Sequence, residues 1–111
     1  MNFTNIINLT PHDIIIVGED DSILLTVKPS GLAMVQATTV ATGNTAYGIP
    51  ITKTKFGEVQ GLPEPNDGTA FVVSRMVAES LPGRRDLLIP NESVRDKDGN
   101  IVGCRSLTHA F

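Results

Sequence analysis

The sequence predicts an α+β fold, predominantly antiparallel β, forming a small barrel-like or bent sheet with one short helix near residues 75–81. Three observations lead there. Turn-forming Gly, Pro and Asn residues punctuate the chain about every eight to twelve positions, the spacing of an antiparallel β protein. The segments between them are rich in Val, Ile and Thr, which fit a pleated, half-buried surface. Only one stretch carries both a helix start and a helix stop.

The elements follow in order. Ile14 to Val17 is a β-branched run stopped by Gly18-Glu19-Asp20-Asp21, after which Ser22 to Val27 resumes as its hairpin partner. Pro29-Ser30-Gly31 breaks the chain, Leu32 to Thr42 reads as a strand, and Gly43-Asn44 is the expected next turn. Tyr47 to Phe56 alternates, with Tyr47, Ile49 and Ile51 on one face and Thr52, Thr54 and Phe56 on the other. Gly57 to Gly68 holds three Gly and two Pro and predicts a loop, a length that in so small a chain points to function. Thr69 to Val73 is a short strand running into Ser74, a good N-cap, and a helix that Pro82-Gly83 ends. Leu87-Leu88-Ile89 is a buried strand closed by Pro90. Val94-Arg95-Asp96 and Ile101 to Arg105 flank Lys97-Asp98-Gly99-Asn100, the strongest hairpin signal present. The β-pairing is expected to be mainly local, within a single domain spanning 1–111.

Composition removes several function classes. The longest apolar runs fall far short of the ~18 residues of a membrane span, so no membrane partner is expected. The first residues, Met1-Asn2-Phe3-Thr4-Asn5, lack a basic region followed by an apolar one. With a single Cys, this predicts a cytoplasmic setting without disulfides. A formal net charge of −3 argues against a duplex-DNA partner, which calls for a basic face. The charges are nevertheless uneven: all five arginines, Arg75, Arg84, Arg85, Arg95 and Arg105, lie in the C-terminal third. Arginine's planar, permanently charged fork suits phosphate and carboxylate, so the cluster suggests an anion site. Surface ion pairing with the interleaved Asp86, Glu92, Asp96 and Asp98 is the competing account.

The motifs that carry chemistry are sparse. Asp96 to Asn100 places its Gly too early for a calcium loop and has Leu107 where the closing Glu belongs, so it reads as a turn. Cys104 would be a nucleophile only with His12 or His109 beside it. No metal-ligand spacing, Walker loop or dinucleotide fingerprint is present, and no cofactor is expected. Thr10-Pro11-His12-Asp13 precedes the first strand, where Thr10 and His12 either contact a ligand or close a turn. Arg95 and Arg105 face each other across the final hairpin only if its register permits.

Asn8-Leu9-Thr10-Pro11-His12, Phe56-Gly57-Glu58-Val59 with Gly61-Leu62-Pro63, Val73-Ser74, Pro82 with Arg84 and Asp86, Val94-Arg95-Asp96 and Gly103-Cys104-Arg105 together resemble a family of small phage and prophage proteins. The resemblance covers nearly the whole chain and supplies a context rather than a mechanism. Carried over by position, Thr10, His12, Glu58, Ser74, Arg84, Asp86, Arg95, Asp96, Cys104 and Arg105 match the family's polar pattern, while Arg85 departs from it.

A phage setting, clustered arginines and no catalytic constellation together imply an anti-defence protein that sequesters a host nucleotide-derived immune signal. In that reading Arg84, Arg95 and Arg105 neutralise phosphates, Thr10 and Ser74 bond sugar or phosphate oxygens, His12 or Phe56 stacks on a base, and Glu58 lines the site. A pocket of ~300 to 1,000 Å³ would hollow out so small a core, so the site is expected at a subunit interface of a homo-oligomer. The alternatives are a virion-associated or host-protein-binding structural protein, and a small phosphoesterase using His12 with Glu58 or Asp96.

Overall fold

The computed structural model describes residues 2–110 and is β-rich with one short helix, as the sequence predicts. Eight strands run in chain order: β1 (Asn5–Asn8), β2 (Ile14–Val17), β3 (Ile23–Val27), β4 (Met34–Ala46), β5 (Ile49–Gln60), β6 (Thr69–Val72), β7 (Leu87–Arg95) and β8 (Ile101–Thr108). The helix α1 (Arg75–Ser80) lies between β6 and β7.

Six strands form one sheet in the order β1-β6-β7-β8-β2-β3. Its outer strands meet again at one end, where Asn8 bridges Pro29, so the sheet curls into an incompletely closed barrel. The pairing is less local than the sequence suggests. Hairpins β2–β3 and β7–β8 are antiparallel, but β1–β6, β6–β7 and β2–β8 are parallel. Parallel neighbours need long crossovers, which leave no signature at a turn. β1 carries no strand signal in the sequence, because Asn5-Ile6-Ile7-Asn8 has only two apolar residues, no alternation, and an Asn at each end that reads as part of a turn.

β6 is the centre of the core. All four of its residues are buried, as a strand flanked on both edges by parallel neighbours requires. Phe71 and Val73 pack with Leu9, Ala33, Leu87 and Ile89, and α1 seats Val77 and Ala78 on the same cluster. The helix starts where the Ser74 side chain, with extended backbone (φ −66°, ψ 157°), accepts a hydrogen bond from Val77 N–H. Gly103 permits β2 and β8 to approach: a Cβ there would lie 2.6 Å from Val17 Cγ2 and 2.9 Å from the Ile15 carbonyl oxygen.

β4 and β5 leave the sheet as a long two-stranded ribbon. Its reversal lies at Tyr47-Gly48, with φ of 53° and 77°, and not at Gly43-Asn44. Two successive positive φ angles are those of a type I′ turn, whose twist matches the flanking strands. Gly43-Asn44 is instead a bulge within β4, where the register jumps from Ala41↔Thr52 to Thr45↔Pro50. β5 then runs three residues beyond Gly57, shortening the expected loop. Pro90 likewise does not close β7, which continues to Arg95. By Pro90 the strand has left β6 and pairs with β8 alone, so the missing N–H falls on an open edge. The ribbon stretches the molecule to 51 × 38 × 24 Å with a radius of gyration of 16.7 Å, against about 13 Å for a compact chain of this length.

Candidate functional site

The residues singled out in the sequence do not gather in one place. Asn8 is fully buried at the end of β1 and organises the turn that follows. Its Nδ2 donates to the carbonyls of His12 (2.7 Å) and Val27 (2.9 Å). Its Oδ1 accepts from the Thr10 amide (2.9 Å) and the Thr10 hydroxyl (2.7 Å). Thr10 is thereby buried and occupied: it closes the turn and has no hydroxyl to offer a ligand. Asn8 was missed as the hub, although an Asn two residues before a Thr is the spacing of a side-chain-capped turn.

His12 projects into solvent at the rim of an open cleft of about 410 Å³, whose lining includes Asp13, Ile15, Ser93, Val102 and Cys104. The cleft unites His12 with Cys104, the pairing a thiol nucleophile would need. The thiol is buried and burial pushes its pKa above the ordinary value, so it stays protonated. No hydrogen bond joins the two side chains among the described residues.

The arginines do not converge. Arg84 donates through Nε to Asp86 Oδ1 (2.9 Å) and through Nη2 to Asp86 Oδ2 (2.8 Å), and Nη2 also reaches the Pro63 carbonyl (3.2 Å). The hydrogen bonds from Arg84 hold the Asp86 carboxyl below the usual carboxylate range and raise the guanidinium in return. Arg105 ties β8 to the β2–β3 turn through the Gly18 carbonyl and Asp21 Oδ1. Arg95 donates to the Gly99 carbonyl (2.7 Å) and so closes its own hairpin. The hairpin register sets Arg95 opposite Ile101, four residues from Arg105 and hence about 13 Å away along the strand. Arg85 borders a shallow notch with Arg84 and His109 that has room for about one water, some 20 Å³.

A further region is the angle between the ribbon and the helix. Val35 and Val59 anchor the base of the ribbon on the core, and Ala37 and Phe56 continue the same face outward. There an open cleft of about 510 Å³ is lined by Thr54, Phe56, Arg75, Met76 and Glu79. Phe56 is half-buried, and Arg75 approaches Glu79 at 3.7 Å with 64% of its side chain exposed, a loose pair that solvent screens. Ser74 adjoins the cleft through Arg75 but spends its oxygen on the helix cap. Glu58 lies outside it, in a separate groove with Met34, Gln36 and Gln60. Arg75 belongs to the arginine cluster of the sequence but not to the residues chosen from it, and Thr54 carries no signal of its own, because nothing local says that β5 runs beside α1.

Among the described residues no three His, Cys, Asp or Glu side chains gather as a metal site, and no helix is long and apolar enough to cross a membrane. No protein-family model, no curated protein and no solved structure matches the chain.

Proposed function

We propose that the protein captures a small nucleotide-type anion in the cleft between its ribbon and α1 and holds it without turnover, withdrawing a host nucleotide-derived immune signal. The anti-defence role is the one the phage resemblance implies. One observation carries the binding reading: an aromatic ring, an exposed guanidinium and a hydroxyl line a single open cleft of nucleotide size, namely Phe56, Arg75 and Thr54. Phe56 would stack on a base, Arg75 would pair with phosphate in place of Glu79, and Thr54 would bond a sugar or phosphate oxygen. This moves the anion site from Arg84, Arg95 and Arg105, whose forks are engaged within the chain, to Arg75. Capture rather than cleavage is favoured because no His or Cys lines this cleft and the Cys104 thiol is protonated.

The test is incubation with cyclic dinucleotides, cyclic oligonucleotides and ADP-ribose derivatives, followed by chromatography before and after heat denaturation. Capture removes a ligand that returns intact on heating, and Arg75→Ala and Phe56→Ala each lose it. A new product would establish the phosphoesterase alternative. A panel left entirely free, or capture that survives both substitutions, overturns the proposal.

A structural, virion-associated or host-protein-binding role is a second reading, favoured by a different observation. The ribbon exposes both faces for most of its length, as surfaces built to meet another protein do. Absence of thermal stabilisation by every nucleotide, together with a defined protein contact on the ribbon, would select it.

A further inference from the structure

A two-stranded ribbon is marginal in water, and at least three strands or a packed face are needed for it to stand alone. The outer half of this one has neither: from Ala41 to Thr52 every residue is exposed. Its two free edges differ sharply. β5 carries Pro50, Lys53, Lys55 and Glu58, the devices that discourage a further strand from pairing. β4 carries no proline and no charge, since no charged residue stands anywhere between Lys28 and Lys53, and its bulged register lies outside Ala37 to Ala41.

The ends of β4 are apolar as well as exposed. Leu32 (46%) and Met34 (58%) flank its start, and Tyr47 (106%) and Ile49 (66%) lie beyond its finish. Its middle, Ala37 to Ala41, is the longest stretch in unbroken register with β5, and bulges lie on both sides of it. An antiparallel copy of the same strand, centred on this stretch, would set Thr38 against Val40 and Thr39 against its own equivalent. It would also bring the Tyr47 tip of one copy beside Leu32 and Met34 of the other. A two-fold axis requires such self-complementarity, and an uncharged strand with apolar ends satisfies it. The alternative pairing through β5, centred on Thr54, would set Lys53 of each copy against Lys55 of the other.

We infer that the occupant of the β4 edge is a second copy of this chain, joined as β5-β4-β4-β5 in one continuous four-stranded sheet about a two-fold axis at Thr39. The resulting dimer brings the exposed Tyr47 of each copy against the exposed Leu32 and Met34 of the other. It is independent of what the cleft beside α1 binds.

The experiment is sedimentation of the full chain and of three variants at one position. Thr39 is exposed, so the fold of each copy tolerates the change, which circular dichroism checks. The wild type is expected to sediment as a dimer. Thr39→Lys sets like charges across the axis and weakens association at least about tenfold, as does Thr39→Glu alone. Mixing Thr39→Lys with Thr39→Glu restores the dimer. Thr39→Cys forms an intermolecular disulfide on mild oxidation, because opposed Cα atoms of an antiparallel pair fall within about 4.5 to 5.5 Å and the other thiol, Cys104, is buried. A wild type that remains monomeric at about 100 µM, association indifferent to Thr39→Lys, or a Thr39→Cys chain that does not cross-link overturns the inference.

Discussion

The Asn8 carboxamide and Thr10 are joined twice, through the Thr10 amide at 2.9 Å and the Thr10 hydroxyl at 2.7 Å, both on Asn8 Oδ1. The other end of the same carboxamide holds the His12 and Val27 carbonyls. One fully buried side chain therefore fixes the end of β1, the turn after it and the end of β3, where the barrel comes nearest to closing.

Asn8→Asp keeps the acceptor and removes both donors, leaving a buried carboxylate facing two carbonyl oxygens. The expected loss is about 3–5 kcal/mol, read as a lower midpoint in urea denaturation. Thr10→Val, which retains the shape and one of the two bonds to Asn8, is expected to lose only about 1–2 kcal/mol. Equal losses in the two variants would show that Asn8 is not the hub.

The Arg84–Asp86 pair predicts a dependence on acid. The carboxyl pKa is lower in the folded chain than in the unfolded one, so the pair's stabilisation is fully present above the unfolded value of about 3.9 and is lost as pH falls through the folded value. Thermal melts from pH 6 to pH 2 should show a wild-type decline steeper than that of Asp86→Asn. At neutral pH Arg84→Ala should cost about 1–3 kcal/mol, since it strands a largely buried carboxylate. Parallel pH profiles for wild type and Asp86→Asn would remove the pair from the account of stability.

Much of the fold is legible in the sequence because its signals are local. The β-branched run at Ile14, the cap at Ser74 and the Asp96 to Asn100 turn each act through neighbours a few residues away, and each stands where expected. The parallel pairs are not legible: nothing in Asn5-Ile6-Ile7 specifies Thr69-Ala70-Phe71 as its partner. The same distinction governs the candidate site. Phe56 could be chosen as an aromatic residue near a Gly-rich segment, but its proximity to Arg75 depends on the angle at which the ribbon leaves the core. The clustering of arginines in sequence does not become a cluster in space for a similar reason, since Arg84, Arg95 and Arg105 each meet a carbonyl or carboxylate partner in a different part of the fold.

Gly103→Ala should be poorly tolerated although the backbone there is ordinary. The added methyl meets the Val17 side chain and the Ile15 carbonyl, so β2 and β8 must part. A loss of about 1–3 kcal/mol is expected, while Gly83→Ala, where a Cβ meets nothing, should be close to neutral. Comparable denaturation midpoints for the two variants would contradict the close approach.

Cys104 should resist alkylation. Its thiol is buried and protonated, so labelling with iodoacetamide at pH 8 should follow unfolding rather than thiolate chemistry, and should accelerate sharply in denaturant. Labelling of the native protein at the rate of a free thiol would reopen the cleft beside His12 as a reactive site.

The route by which the barrel closes also bears on how the chain reaches its native state. The ribbon is a single hairpin that can form within microseconds, whereas Asn5 must wait for Thr69, and Ile16 for Cys104. Each of the two N-terminal strands thus depends on a partner made much later, and high sequence separation of this kind slows folding. On the ribosome the β2–β3 hairpin and the ribbon can both form while β1 still lacks its partner. Only the emergence of β8 supplies the edge on which β2 docks, so the strand order of the barrel is settled when β8 joins β2.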